Sequence, residues 1–497
     1  MKNKVEINRL STGVPGLDSI LGGGLPEFSF NLMAGPPGSG KTTLAHQLMF
    51  SMATKERPAL YFTVLGESPL MMLRYQQQFT FFDPEKINET IHFVNLGDDV
   101  VNGRFDQILA RIMKEVEAHS PGFVFVDSFR SIMLEADDSS DPIIGPQHFI
   151  QQLGNQLRSW QVTSFFLGKY PIENDSPPVF TVADGLISMC QSISRNSMVR
   201  KIQILKMRGQ ETSPGIHTFR ITTDGIEIFP AAPITGDSIA AGTPSKLPRS
   251  DKRLTMGVPA LDAMLGGGLP SGYSLLVAGP SGSGKTILAT AFLSEGVRLG
   301  EPGVIVAFEQ TPSQSWTRTI DDLVRAGRIG LINTRLLDLS IDEIVQRMID
   351  TIKQMKATRV VIDSLSGFEL AVAPTFREDF RESLFRMVSV LADLGVTVLM
   401  TSELEDRYTD LRFSSYGSAF LTDAIIVQRY IEIGGHLKRV MAVVKVRGSN
   451  HSNDLREYKI TDEGIVIGDP MVDFTGLLAG SPTLEVVSEV RTGSKPR

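Results

Sequence analysis

The chain is expected to fold as two tandem α/β domains, each a mainly parallel β-sheet flanked by helices. Three observations carry that expectation. The octapeptide GPPGSGKT at Gly35–Thr42 returns as GPSGSGKT at Gly279–Thr286, with Lys41 and Lys285 standing 244 residues apart. GVPGLDSILGGGLP at Gly13–Pro26 returns as GVPALDAMLGGGLP at Gly257–Pro270 at the same offset, and KMRG at Lys206–Gly209 has its counterpart in KVRG at Lys445–Gly448. That period is far too long for a solenoid repeat and is the length of a whole domain. Short apolar runs also alternate with helical patterns, as they do in a parallel sheet covered on both faces.

The elements follow in order. Ser29–Ala34 and Tyr273–Ala278 suit buried strands, with helices expected over Thr43–Met52 and Ile287–Val297. Ala59–Val64 and Val304–Phe308 read as strands, then Phe123–Val126 and Val360–Ile362. Amphipathic helices precede the last two. Ile108, Leu109, Ile112 and Val116 share one face of the first, and Ile344, Val345, Met348, Ile349 and Ile352 one face of the second. Residues 1–230 and 254–469 are the two expected domains. Between them, 231–253 is rich in Pro, Ala, Gly, Ser and Thr without a hydrophobic period and reads as a linker; 470–497 reads as a tail.

Composition narrows the function. At 497 residues, 42% hydrophobic and 21% charged, the chain has ample length for two cores. A net charge of −7 exerts no general pull on nucleic acid or anionic lipid. The sole cysteine, Cys190, excludes an intramolecular disulfide and a thiolate metal cluster, and the seven histidines show no ligand spacing. The N-terminus lacks the apolar run of a signal peptide, and no stretch of about 18 apolar residues occurs. A cytoplasmic protein without membrane contact is the expectation.

Both octapeptides satisfy G-x-x-x-x-G-K-[ST], whose glycines turn backbone N–H groups inward around an anion at a helix N-terminus. The candidate nucleotide-binding residues are Gly35, Pro36, Pro37, Gly38, Ser39, Gly40, Lys41, Thr42 and Thr43. Their counterparts are Gly279, Pro280, Ser281, Gly282, Ser283, Gly284, Lys285, Thr286 and Ile287. Lys41 and Lys285 would meet the β- and γ-phosphates of ATP, and Thr42 and Thr286 would be hydroxyl ligands of Mg²⁺. FVFVDS and VVIDS place Asp127 and Asp363 at strand tips, where each holds the metal or merely caps the next turn. As the group that orients the attacking water, AFEQTP offers Glu309 and TVLGESP offers Glu67; a solvated surface glutamate is the alternative for each.

The paired P-loops, the LGGGLP preludes, FEQTP, VIDSLSG and the KxRG motifs together resemble the KaiC family, tandem RecA-like ATPases that include circadian-clock proteins and other bacterial and archaeal regulators. The resemblance spans all but the tail. It implies a two-tiered homohexamer with ATP between neighbouring subunits, slow ATPase activity, regulatory protein partners and, in some members, serine/threonine autokinase and autophosphatase activity in the C-terminal tier. It also matches Lys206 with Arg208, and Lys445 with Arg447, to the family's trans-acting pair. Both pairs alternate along expected strands, so each shares one face; a solvated edge is the plainer reading.

The departures are specific. KaiC-like domains carry two adjacent glutamates after the strand, whereas Glu309 is followed by Gln310 and Glu67 is preceded by Gly66. The family's phosphoacceptor pair aligns with Ala419 and Phe420, which lack hydroxyls. Ser414, Ser415 and Ser418 are the nearby candidate acceptors, ahead of Tyr416 and Thr422, though serines in a loop also serve turn chemistry. A RecA-like nucleic-acid motor is the competing class. It calls for basic loops or an accessory module, and the segment after Asp127, SFRSIMLEADDSSDP, is acidic instead. A nucleotide-gated scaffold without turnover is a third reading. A signalling ATPase with no nucleic-acid partner is the expected function.

Overall fold

The computed structural model describes residues 7–64, 69–102, 105–135, 146–170, 178–194, 197–231, 252–308, 318–333, 340–372, 380–404, 421–471, 474–475 and 483–484. The chain divides into two compact units, Met1–Pro233 and Ile234–Arg497.

In the first unit a short antiparallel pair, β1 (Arg9–Leu10) and β2 (Leu25–Pro26), precedes the sheet. The sheet contains β3 (Phe30–Ala34), β4 (Ala59–Thr63), β5 (Ile91–Asn95), β6 (Phe123–Asp127), β7 (Thr163–Gly168), β8 (Gly185–Ser194), β9 (Ser197–Met207), β10 (His217–Thr222) and β11 (Gly225–Phe229). Its order is β5-β4-β6-β7-β3-β8-β9-β10-β11. The run from β5 to β8 is parallel and β9 to β11 are antiparallel.

The second unit repeats the plan. After β12 (Arg253–Leu254) and β13 (Leu269–Pro270) come β14 (Ser274–Gly279), β15 (Gly303–Ala307), β16 (Ile329–Asn333), β17 (Arg359–Asp363), β18 (Thr397–Glu403), β19 (Ala424–Ile433), β20 (His436–Val446), β21 (Arg456–Thr461) and β22 (Gly464–Pro470). The order β16-β15-β17-β18-β14-β19-β20-β21-β22 is that of the first sheet, strand for strand. In each sheet the chain leaves the central strand toward one edge and later returns to its other side. The P-loop therefore lies at a topological switch point, where parallel sheets bind ligands.

Alternation along the strands sends side chains to both faces. Leu32, Phe62, Val124 and Val126 pack with Ile108, Ile112 and Val116 of the helix Phe105–His119, and with Phe149 and Leu153 of Pro146–Ser159. Met33, Tyr61 and Phe125 face the helix Lys41–Met52 through Leu44, Leu48 and Met49. In the second unit Ile344, Val345, Met348 and Ile352 of the helix Ile341–Met355 line one core, with Ile349 half-buried against it. Leu288, Phe292 and Leu293 of the helix Lys285–Arg298 line the other.

Several sequence expectations shift by a residue or two. The strand expected at Val360 begins at Arg359, a fully buried cation. It is tolerated because its guanidinium meets Glu301 at 2.8 Å and donates to the carbonyls of Thr255 and Phe292, satisfying its fixed fork of donors. Arg208 and Arg447 do not lie on strands as expected: β9 ends at Met207 and β20 at Val446, so each arginine starts the following turn. Of the expected linker, Arg253 pairs within β12, and in the tail β23 (Phe474–Thr475) pairs with β24 (Thr483–Leu484). Among the described residues no helix is long and apolar enough to cross a membrane.

Candidate nucleotide site

Each P-loop joins the carboxyl end of the central strand to a helix. Gly40 and Gly284, the residues before Lys41–Met52 and Lys285–Arg298, adopt left-handed backbone (φ 96° and 94°), which only glycine enters at little cost. A Cβ on Gly284 would also stand 2.9 Å from Ile460. The first-turn N–H groups of these helices are the donors an anion needs. Lys41 Nζ donates to the carbonyls of Gly35 (2.8 Å) and Pro36 (2.9 Å); Lys285 Nζ donates to those of Gly279 (2.9 Å) and Pro280 (2.8 Å). Burial holds both lysines below their ordinary pKa. Asp127 pushes back at Lys41, and Glu403 and Asp363 do so at Lys285.

The remaining loop residues divide between lining and bracing. Pro37, Gly38, Gly40, Lys41, Thr42 and Thr43 line a cleft of about 400 Å³ that Asp127, Ser128, Gly168, Lys169 and Ile221 complete. Ser39 is buried. In the second unit, Ser283 Oγ donates to Gln428 Oε1 (2.9 Å), and the Ser283 carbonyl accepts from Tyr458 (2.5 Å). Gly282 has the left-handed backbone of Gly38 (φ 75° and 76°), the carbonyl of Ser281 accepts from Tyr430, and Ile287 packs on the core.

The expected metal pairs come together. Thr42 Oγ1 donates to Asp127 Oδ2 at 2.8 Å, and Thr286 Oγ1 to Asp363 Oδ2 at 2.9 Å. A hydroxyl beside a carboxylate is a hard-oxygen donor set of the kind Mg²⁺ prefers. Each aspartate carries a second support that sequence reading missed. Tyr61 OH, from β4, donates to Asp127 Oδ2 at 3.0 Å, whereas Thr401 Oγ1, from β18, donates to Asp363 Oδ1 at 2.5 Å. A second difference lies beside the P-loop, where Gly279 pairs with Glu403 and Gly35 takes the Gly168 carbonyl just before Lys169. One unit places a cation there and the other an anion, and the GK and SE pairs ending matched apolar runs were the available signal.

Glu67 and Glu309 lie outside the described residues, as do Ser414, Ser415 and Ser418. The residues preceding the two glutamates are matched. Val64 N–H donates to the Asp127 carbonyl (3.0 Å), and Phe308 N–H to that of Asp363 (3.3 Å). In sequence Glu309 directly follows Phe308, whereas Glu67 comes three residues after Val64. Thr422, among the lesser acceptor candidates, is fully buried.

Lys206, Arg208, Lys445 and Arg447 are not at the clefts of their own domains. Lys206 Nζ donates to the carbonyls of Phe180 (3.1 Å) and Thr181 (3.3 Å), and Arg208 pairs with Asp184 at 3.2 Å. Asp184 also accepts the N–H of Phe30, the first residue of β3. Lys445 Nζ donates to the Thr422 carbonyl (2.6 Å), and Arg447 stands 3.6 Å from Asp423, which accepts the N–H of Ser274 at the start of β14. The P-loops leave the opposite ends of these strands. Five residue steps at roughly 3.3 Å make the separation about 16 Å, beyond the reach of a lysine or arginine side chain.

A model of the KaiC ATPase family matches residues 10–232 and again 254–471. The chain belongs to the KaiC ATPase family. Over 97% of its length it is 29% identical to the circadian clock oscillator protein KaiC of Picosynechococcus sp., covering 94% of that protein. It is 28% identical to the circadian clock protein KaiC3 of Synechocystis sp. (97% of this chain, 96% of that one) and 27% identical to the circadian clock oscillator protein KaiC of Acaryochloris marina (99% and 95%). Membership implies ATP binding and hydrolysis, and the two KaiC domains account for both P-loops.

One buried group makes the first KaiC domain sensitive to acid. His46, in the helix after the P-loop, is fully buried and stacks on Tyr61 with ring centroids 4.7 Å apart. Among the described residues neither of its ring nitrogens has a hydrogen-bond partner. Burial pushes its pKa from 6.5 down to about 3. Between those values the unfolded chain binds a proton there that the folded domain does not, so stability falls as pH drops through the window, by about 1.4 kcal/mol per unit. His46→Phe keeps the stacked ring and removes the proton site. Unfolding midpoints measured from pH 7 to 5 are expected to fall less steeply for this variant than for the wild type; equal slopes would show that His46 does not contribute.

Proposed function

We propose that the protein is an ATP-hydrolysing homohexameric regulator in which each nucleotide, held by the P-loop of one subunit, is completed by the Lys-Arg pair of the next. Domains 1–230 and 254–469 form the two tiers, joined by 231–253 and followed by the tail 470–497. The observation that carries this reading is the placement of the KxRG pairs. Each stands at the amino end of the strand whose carboxyl end bears its own P-loop, with the arginine on an aspartate and the lysine on backbone carbonyls. Cations that cannot reach their own γ-phosphate suit an anion supplied by another subunit. An arginine so delivered is worth about 10³–10⁵ in rate.

Within one site the residues divide the work. P-loop N–H groups and Lys41 or Lys285 orient and neutralise the phosphates; Thr42 with Asp127, and Thr286 with Asp363, would hold Mg²⁺. A metal held there would offset the negative charge of the phosphates. Glu309 directs the attacking water. The first domain lacks a carboxylate at that sequence position and turns over more slowly. The nucleotide state of the ring then controls binding of regulatory partners. Nucleic acid is not a partner, and DNA leaves the hydrolysis rate unchanged across a salt series. The autokinase reading rests on the hydroxyls of Ser414, Ser415 and Ser418, which in sequence shortly precede Thr422, whose carbonyl accepts from Lys445 Nζ.

Three measurements test this reading. Glu309→Gln is expected to cut steady-state phosphate release more than Glu67→Gln does, with loss of a general base costing about 10²–10⁴-fold at its own site. The reverse ranking would contradict the assignment. Arg447→Ala subunits mixed with Lys285→Ala subunits are expected to regain C-terminal-site activity, since some sites then pair an intact P-loop with an intact arginine. A monomer in ATP, or an inert mixture despite confirmed subunit exchange, rules out the shared site. After incubation with γ-labelled ATP, mass spectrometry is expected to find phosphate confined to residues 414–422. Phosphate elsewhere refutes the acceptor assignment, and none at all removes the kinase function while leaving the ATPase.

A further inference from the structure

Asp184 and Asp423 have no part in phosphate or metal binding, yet each joins the Lys-Arg pair to the P-loop strand. The Asp184 carboxylate accepts from Phe30 N–H (3.0 Å), from Arg158 (2.9 Å) and from Arg208 (3.2 Å). Its own N–H donates to the Phe30 carbonyl (2.8 Å), and its carbonyl accepts from Arg208 N–H (2.9 Å). Asp423 repeats the pattern. Its carboxylate accepts from Ser274 N–H and Oγ (both 3.1 Å) and stands 3.6 Å from Arg447, its N–H donates to the Ser274 carbonyl (2.9 Å), and its carbonyl accepts from Arg447 N–H (2.8 Å).

We infer that Asp184 and Asp423 are positioning residues that aim Arg208 and Arg447 at the nucleotide of the adjoining subunit and couple that aim to the strand bearing the chain's own P-loop. The inference rests on the shared-site reading.

Exposure supports this division of roles. The Asp184 side chain is 17% exposed and that of Asp423 11%, whereas those of Arg208 and Arg447 are 55% and 30% exposed. Each carboxylate is thus a rooted anchor beside a more exposed arginine, and the Arg208 guanidinium also donates to the Thr181 carbonyl (3.2 Å). The neighbouring lysine adds a second cation. Burial, and next the charge of the adjacent arginine, lower the pKa of Lys206 and Lys445, while the aspartate opposes the shift. Without the carboxylate the two cations would repel each other and spread apart. A backbone joint at the head of a strand would need only the N–H and carbonyl exchange with Phe30 or Ser274. Placing the carboxylate against an arginine in both domains goes beyond that need. Because β3 and β14 each run directly from the aspartate to the P-loop, a shift at the P-loop on ATP binding would be felt at the aspartate. Each site would thereby bias the arginine offered to its neighbour.

Asp423→Asn tests the inference in the full chain. The amide oxygen still accepts from Ser274, but the charge that holds Arg447 is gone. Phosphate release is measured with the rate of the Lys285→Ala ring subtracted as the N-terminal contribution. By the scale of partners that orient catalytic ligands, C-terminal-site turnover is expected to fall about 10–100-fold, with ATP affinity at the same subunit's P-loop nearly unchanged. In an Arg447→Ala background the same substitution is expected to cost nothing further. Mixing Asp423→Asn with Lys285→Ala subunits is expected to restore activity, since an intact P-loop then faces an intact, correctly held arginine. The inference is overturned if turnover stays within about twofold, if the two substitutions multiply, or if this mixture stays inert while the Arg447→Ala mixture recovers. Failure of both mixtures would instead remove the shared site on which the inference stands. Should Asp423→Asn not assemble, Asp184→Asn mixed with Lys41→Ala carries the same comparison in the first domain.

Discussion

The parallel run of strands gives each sheet a polarity on which the rest of the structure depends. All loops that touch phosphate leave its carboxyl edge, so whatever is fixed at the amino edge cannot serve the same nucleotide. The central strand, β3 or β14, spans both edges. Its last residue opens into the P-loop, and its first is hydrogen-bonded to the aspartate that holds the KxRG arginine. Six parallel strands packed on both faces by apolar helices keep this strand straight and dry, so the spacing between its two ends is set by backbone geometry. The proposed site completed by another subunit rests on that constraint, and in that proposal ATP also joins the subunits.

The two copies of this plan have diverged around the cleft and at single core positions while keeping one topology. Strand order is the same in both, as is the Thr-Asp pair at each cleft. The second support of the aspartate is a tyrosine on β4 in one and a threonine on β18 in the other. Beside the P-loop, Lys169 in the first domain answers to Glu403 in the second, which changes the sign of the local charge. Core positions differ as well: Phe123 at the head of β6 corresponds to buried Arg359, whose cost is offset by Glu301 and two carbonyls. Such differences fit two sites with separate rates and separate sensitivity to pH.

Most of the fold was legible in the sequence because the duplication and the apolar strand runs are local signals. The placement of the P-loops, Asp127 and Asp363 at strand ends was legible for the same reason, each lying within a short pattern of fixed spacing. Sequence reading missed what depends on neighbours across the sheet. Tyr61, within an expected strand, and Thr401, in a stretch given no element, show no role until the register places them beside an aspartate. Arg208 and Arg447 were placed on strands because KMRG and KVRG alternate, yet Gly209 and Gly448, both at positive φ, mark the turns. Asp184 and Asp423 carried a signal that went unused: each stands 22 residues before its lysine, Lys206 or Lys445.

The most direct test of the account is a structure of the full chain determined with Mg²⁺ and a non-hydrolysable ATP analogue. The account predicts a closed ring of six subunits, with Lys445 and Arg447 of one subunit against the γ-phosphate held by Lys285 of the next. A γ-phosphate enclosed wholly by groups of its own chain, with these two side chains facing solvent, would contradict it.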